Sequence, residues 1–232
     1  MYTLRLTLVA FVLASLALVQ GTTAVAASGY TLFGDATLVH PGNNSNTAVQ
    51  LRSVGATFGG VDFDVPAGMT VNQLNNLSTD YKFTAGSCGG GAPRFQINVG
   101  GDNIFAYIGP APAYAGCLPN VWTNSSNVLF PFVDTSQLPG GTFYDTWAHA
   151  QAAYGTLTIT GIQLVTDAGW LFAEQTVLVD NVMINSMTYT FETKDSCKNG
   201  GWQDFTSSPG PFKNQGDCVS FFASGGKNEA DK

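Results

Sequence analysis

The stretch from Tyr154 to Phe191, YGTLTITGIQLVTDAGWLFAEQTVLVDNVMINSMTYTF, decides the fold class. Thr156, Leu157, Thr158, Ile159 and Thr160 alternate hydroxyl with aliphatic side chains. After Gly161 an apolar run resumes at Ile162, Leu164 and Val165, and Asp167-Ala168-Gly169 is a turn signal ahead of Trp170. Val177 to Ile184 is rich in β-branched residues and broken only at Asp180-Asn181. Met187, Tyr189 and Phe191 then alternate with Thr188 and Thr190. A period of two with β-branched and aromatic enrichment, bounded by Gly, Asp and Asn, is the signature of strands. Turns rather than long helices join them, so the expected class is all-β, an antiparallel sandwich.

The preceding chain reads the same way. GYTLFGDATLVHPG, from Gly29 to Gly42, is a strand pattern, and Ala48–Arg52 and Ala56–Phe58 begin the next strands, with Gly59-Gly60 as a hairpin connection. Asp62 and Asp64 alternate with Val61, Phe63 and Val65, which puts both carboxylates on one side of a strand. A solvated outer face explains that pattern better than a site does. Leu74–Phe83 continues the meander. Phe95–Val99 and Asn103–Ile108, joined through Gly100-Gly101-Asp102, form the clearest hairpin, one face of which carries Gln96, Asn98 and Tyr107 or Phe105. NVLFPFV, residues 127–133, reads as a strand that Pro131 confines to an edge or a bulge. One short helix is expected from Asp145 as N-cap to Tyr154, with Gly155 as stop and Trp147 plugging one end of the sandwich.

Residues 1–27 have the form of a secretory signal: Arg5, an apolar core from Leu6 to Val19, and a small-residue cleavage site at Thr23–Ala27. The expected organisation is therefore a leader at 1–27, a sandwich at 28–193 and a Cys-stapled segment at 194–232 with a disordered end from Asn228. Export and an extracellular location follow from the leader. Arg5 is the only charge in it, so cleavage takes the net charge from −7 to −8. Between Ser28 and Thr193 three bases (Arg52, Lys82, Arg94) face eleven acids. Such a chain lacks the basic stripe that phosphates need, which argues against nucleic acid and anionic membrane as partners.

Four cysteines in an exported chain read as two disulfides. Three connectivities exist; Cys88–Cys117 and Cys197–Cys218 are favoured because each pair falls within one segment of distinct composition. A metal site built from all four cysteines is the alternative, without any C-x-x-C pair in its support. In the last segment Trp202, Phe205, Phe212 and Phe221 are candidates for an aromatic cluster against the cystine.

Catalytic signatures are sparse. The chain has three glutamates (Glu174, Glu192, Glu229) and two histidines (His40, His149). They form no carboxylate pair of the kind that glycosidases set across a scissile bond, no G-x-S-x-G elbow and no His-rich metal motif. A non-enzymatic role is expected, with no required cofactor.

Two resemblances add to this. TWAHAQAAYGTLTITGIQLVTDAGW and QTVLVDNVMIN resemble the closing half of carbohydrate-binding-module-type, concanavalin-like jelly rolls, in which a short helix precedes a strand pair and the last strand carries an Asp-Asn-Val triplet. GYTLFGDATLV and PRFQINV fit the same pattern. The tail, CKNGGWQDF to FKNQGDCVSFFASGGKN, resembles a short segment at the ends of uncharacterised exported bacterial proteins and implies no activity. The first resemblance implies a jelly-roll-like sandwich, for which a non-catalytic module binding extracellular polysaccharide is the expected role. The acidic balance makes a neutral polymer the expected ligand. Tyr107, Tyr114 and Trp122, rings able to stack on sugar, beside Gln96, Asn98 and Arg94 are the candidate binding residues. The alternative for those rings is the core. It also implies a structural calcium tying first strand to last, with Asp35 in FGDA and Asp180 in VDNV as ligands. Calcium takes roughly six to eight oxygens, so two acids would need carbonyl help; otherwise Asp180 only hydrogen-bonds locally. An extracellular protein-interaction domain and a hydrolase with an unrecognised site are the competing functions.

Overall fold

The computed structural model describes residues 29–206 and 209–224; the expected leader and the end from Asn228 lie outside the described residues. Two antiparallel sheets face each other. In spatial order, the first holds β1 (Tyr30–Gly34), β4 (Gly59–Phe63), β9 (Ile159–Thr166), β6 (Arg94–Val99) and β7 (Asp102–Tyr107). The second holds β2 (Ala36–Val39), β3 (Ala48–Val54), β10 (Glu174–Ile184), β5 (Leu77–Ala85) and β8 (Thr123–Asn124), and β11 (Met187–Tyr189) pairs with the end of β10. The chain passes repeatedly from one sheet to the other, giving a jelly-roll-like sandwich. β9 and β10 are the central strands of their respective sheets, so the 154–191 stretch supplies the middle of both layers.

Alternation fills the space between the layers. Val61, Phe63, Phe95, Ile97, Ile104, Ile162 and Leu164 project inward from the first sheet onto Val49, Leu51, Phe83, Val177 and Val179 of the second. Burial of these side chains, at about 1.5–3 kcal/mol each, is the principal stabilising term. Trp147 plugs one end as expected, buried, with its indole N–H donating to the Leu74 carbonyl at 3.2 Å.

Local expectations fail where distant residues intervene. GYTLFGDATLV is two strands: Gly34, at φ +62°, breaks it, and the chain crosses from the first sheet to the second. Gly59 and Gly60 lie inside β4 rather than in a hairpin turn. A side chain at Gly60 would collide with the Phe33 ring, and one at Gly59 with the backbone of Asp35 and Arg52; glycine within a strand marks such close approaches. Residues 127–133 form no strand: the Asn127 side chain turns the chain by accepting from Leu77 N–H and Leu129 N–H, and Val133 makes only an isolated bridge with Asp145.

Among the described residues three short α-helices stand where a single one was expected. α1 (Trp147–Tyr154) is capped by Thr146, whose hydroxyl accepts from His149 N–H. The Asp145 carboxylate is already engaged by Thr135 and the His149 ring, so it does not cap. α2 (Gly169–Phe172) follows the turn at Asp167, and α3 (Gln215–Ala223) lies in the tail. At Asp180-Asn181 a register shift against β5 marks a bulge, with Asn181 at φ +47°.

Both cystines are formed: Cys88–Cys117 and Cys197–Cys218. The second sits buried between 3-10 turns at Lys194–Gln203 and α3, with Phe205 and Phe212 buried against it and Trp202 and Phe221 packed around them. Asn46 Nδ2 donates to Gly201 O at 2.8 Å, and the Thr47 and Ser196 hydroxyls meet at 3.1 Å, so the tail docks on the 42–47 loop. Among the described residues no helix is long and apolar enough to cross a membrane.

Candidate functional site: the outer face of the first sheet

Because strand neighbours alternate, the residues between the core positions of the first sheet form its outer face. The register arranges them in rows that run across the strands. One row is Phe33–Gly60–Val165–Arg94–Tyr107; the next is Thr31–Asp62–Gln163–Gln96–Phe105; a third is Gly161–Asn98–Asn103. Gln96 and Asn98, singled out from the sequence, thus stand side by side on this face. Gln163, Asp62 and Asn103, which the sequence did not single out as a site, join them.

These polar groups hold one another in place. The Arg94 guanidinium makes a two-pronged pair with Asp167, 2.8 Å at both contacts, and donates to Gly91 O at 2.9 Å. It also donates to Gln96 Oε1 at 3.1 and 2.8 Å. That sets the Gln96 amide: its NH2 points along the row and donates to Gln163 Oε1 at 3.2 Å. Asn98 Nδ2 donates to Asn103 Oδ1 at 2.5 Å, and Asn103 N–H and Nδ2 donate to Gln137. Gly161 leaves the floor open: a Cβ there would come within 2.8 Å of Asn98 Oδ1. The result is two adjacent rows of pre-oriented amides with donors and acceptors both available, flanked by a guanidinium that lies 5.3 Å from the Phe105 ring centre.

Aromatic rings stand at both edges. On the β1 side Phe33 lies over Gly60, with Phe58 at 6.1 Å between ring centres. On the β7 side Phe143 stacks on Tyr107 at 5.5 Å, and Tyr144 meets Phe143 edge-on at 4.7 Å. Phe58, Phe143 and Tyr144 are 51%, 45% and 52% exposed.

The three rings chosen from the sequence do not fill this role. Tyr107 and Tyr114 are each only 8% exposed. The Tyr107 hydroxyl donates to Asp134 at 2.7 Å and that of Tyr114 to Phe132 O at 3.2 Å. Burial, and then the Asp134 hydrogen bond, drives the Tyr107 pKa well above its ordinary value. Both rings back the edge instead of offering a face. Trp122 belongs to the opposite sheet: it precedes β8, and the outward-pointing Lys82 of β5 lies 5.1 Å from its ring centre. It is across the sandwich from Gln96.

The calcium pair also fails on geometry. Asp35 is ion-paired with Arg52 at 3.2 Å, level with Thr176 of β10, whereas Asp180 lies four residues further along that strand, about 13 Å away at ~3.3 Å per residue. Asp180 is buried and accepts from Asn43 N–H (2.8 Å), Ser45 O–H (2.5 Å) and Asn181 N–H (2.7 Å). Asp35 and Asp180 do not fit one cation, and among the described residues no three His, Cys, Asp or Glu side chains converge as a metal site would.

No family model matches the chain, and neither does any curated protein. Among solved structures, the chain is similar to the family 11 carbohydrate-binding module of the cellulosomal cellulase Lic26A-Cel5E of Clostridium thermocellum, at 10% identity and a TM-score of 0.39, over 67% of this chain and 86% of that one. It is also similar to the xyloglucanase domain of NopAA, a type three effector from Sinorhizobium fredii solved in complex with cellobiose, at 13% identity and a TM-score of 0.26, over 69% and 95% of the two chains.

Proposed function

We propose that the mature chain is an exported module that binds a neutral polysaccharide on the outer face of its first sheet and does not cleave it. The observation that carries this is two adjacent rows of oriented amides, Gln96–Gln163 beside Asp62 and Asn98–Asn103 beside Gly161, which opens the floor. Sugars present hydroxyls that both donate and accept, and fixed amides answer both at little ordering cost. The excess of acids over bases in residues 28–193 disfavours anionic chains by like-charge repulsion. Binding should therefore respond weakly to salt. Cleavage would need two carboxylates free to act across one bond; Asp167 is held by Arg94, leaving Asp62 without such a partner on the floor rows.

Affinity electrophoresis of the secreted protein through gels containing neutral or anionic polysaccharides tests this. Retardation by a neutral polymer is expected, and Gln96→Ala or Gln163→Ala should weaken it by about fivefold each, the worth of one hydrogen bond. No retardation on any neutral polymer would end the proposal, and release of reducing sugar would replace binding by hydrolysis.

A further inference from the structure

We infer that the two aromatic edges of this face, Phe33 with Phe58 on one side and Phe143 with Tyr144 on the other, stack on separate rings of a single pyranose chain laid across the strands, a chain whose hydroxyls lie equatorial. The inference rests on the binding reading above and adds the ligand's course, its minimum length and its sugar class.

The two edges sit over the outermost strands of the first sheet, β1 and β7. Four strand spacings separate them, about 19 Å at ~4.8 Å each. The amide rows run along the same direction, because rows are set by register across strands and not along one strand. The rings end the neighbouring row, Phe33 at one end and Tyr107 beneath Phe143 at the other. That row lies two residues, or about 7 Å at ~3.3 Å per residue, along the strands from Gln163 and Gln96. A chain laid between the two edges therefore runs alongside the amides and meets an aromatic ring at both ends.

Each edge is built to present a ring. Phe58, Phe143 and Tyr144 leave about half their surface in water, and each is backed by another ring: Phe58 by Phe33, Phe143 by Tyr107, Tyr144 by Phe132 at 5.6 Å. The backing is itself fixed. Tyr107 is tied to Asp134, and the Tyr144 hydroxyl donates to Pro112 O at 3.2 Å. Held rings lose little freedom when a ligand arrives. A pyranose with equatorial hydroxyls turns only C–H groups toward such a ring. An axial hydroxyl would be pressed against carbon without a hydrogen-bond partner, which is unfavourable.

Calorimetry with cellobiose, cellohexaose and mannohexaose tests this in the secreted protein, using Phe58→Ala and Phe143→Ala, both at exposed positions, and thermal melting to check that each variant is folded. Cellohexaose reaches both edges and should bind more tightly than cellobiose, because the second contact is made within one complex. Each variant should weaken cellohexaose by up to about tenfold, and the double variant should weaken it further than either. Mannohexaose, whose 2-hydroxyl is axial, should bind more weakly than cellohexaose. If Phe58→Ala and Phe143→Ala bind cellohexaose as the wild type does while Gln96→Ala does not, the edges are irrelevant, and this inference falls while the amide reading stands. Equal affinity for cellobiose and cellohexaose, a preference for mannohexaose, or binding of another neutral polymer without cellohexaose would each overturn it too. A wild type that binds no neutral polymer at all overturns both readings.

Discussion

Asp180 sets a sharp expectation for stability against pH. Its carboxylate, fully buried on β10, receives three hydrogen bonds from the 43–45 loop and from Asn181, each of which favours the charged form. Loss of water favours the neutral form and is the larger effect, with Glu192 adding in the same sense, so the pKa is pushed up from 3.8 to about 7. A carboxyl that holds its proton more tightly when folded makes the fold most stable at low pH, where both states are protonated. As pH rises past 3.8 the unfolded chain ionises freely while the folded one does not, and stability declines until about pH 7, beyond which the effect is level. The interval of about three pH units, at about 1.36 kcal/mol each, corresponds to ~4 kcal/mol. Glu192, also raised by burial, acts in the same direction. Glu174 and Asp195, both lowered by basic partners, act in the opposite sense. Urea unfolding of the oxidised protein at pH 5, 6, 7 and 8 should therefore give a falling free energy, and Asp180→Asn should flatten most of the slope. A free energy that stays constant or rises from pH 5 to 8, or an unchanged slope in Asp180→Asn, would refute the reasoning.

Gln175 is fully buried and joins β10 to three segments: Nε2 donates to Ser87 O and Ala92 O, and Oε1 accepts from Thr166 and Ala168 N–H. Gln175→Leu takes this partner from the Thr166 hydroxyl, the Ala168 N–H and the Ser87 carbonyl, while Ala92 O keeps its bond from Gly89 N–H. It should lower unfolding free energy by roughly 3 kcal/mol, at about 1 kcal/mol each, in urea titration. Replacing Cys197 and Cys218 together by serine should free the tail while the sandwich stays folded, seen as hydrogen exchange rising in residues 194–224 alone; the cystine's contribution is about 3 kcal/mol on loop-closure grounds. Arg94→Lys keeps the charge but not the two-pronged hold on Asp167 or the grip on Gln96. It should weaken polysaccharide retardation several-fold with little change in melting temperature, since the pair is partly exposed.

Much of the fold was legible because it is local. Alternation in 154–191 placed β9, β10 and β11 to within a few residues, and Gly100-Gly101 between two alternating runs marked the β6–β7 hairpin. Gln96 and Asn98 share a face by periodicity alone. The cystine pairs followed from segment composition, since each joins cysteines no more than 29 residues apart. What alternation cannot say is which face is covered, or by what. Tyr107 has the parity of an exposed residue, yet Phe143 and Tyr114, from loops that follow it, close over it. Gly60 looked like a turn because the ring that requires its missing side chain, Phe33, lies far back in the chain.

The composition of each strand therefore determined a sandwich with one wet face per sheet. The site itself was decided by register. Gln163 meets Gln96 across 67 residues of chain, and Asp62 comes to Gln163 from further back still, only because β9 lies between β4 and β6. Trp122 was grouped with the wrong sheet for the same reason: a residue's periodicity gives its side of a strand, but only the pairing of distant strands says which sheet that strand joins.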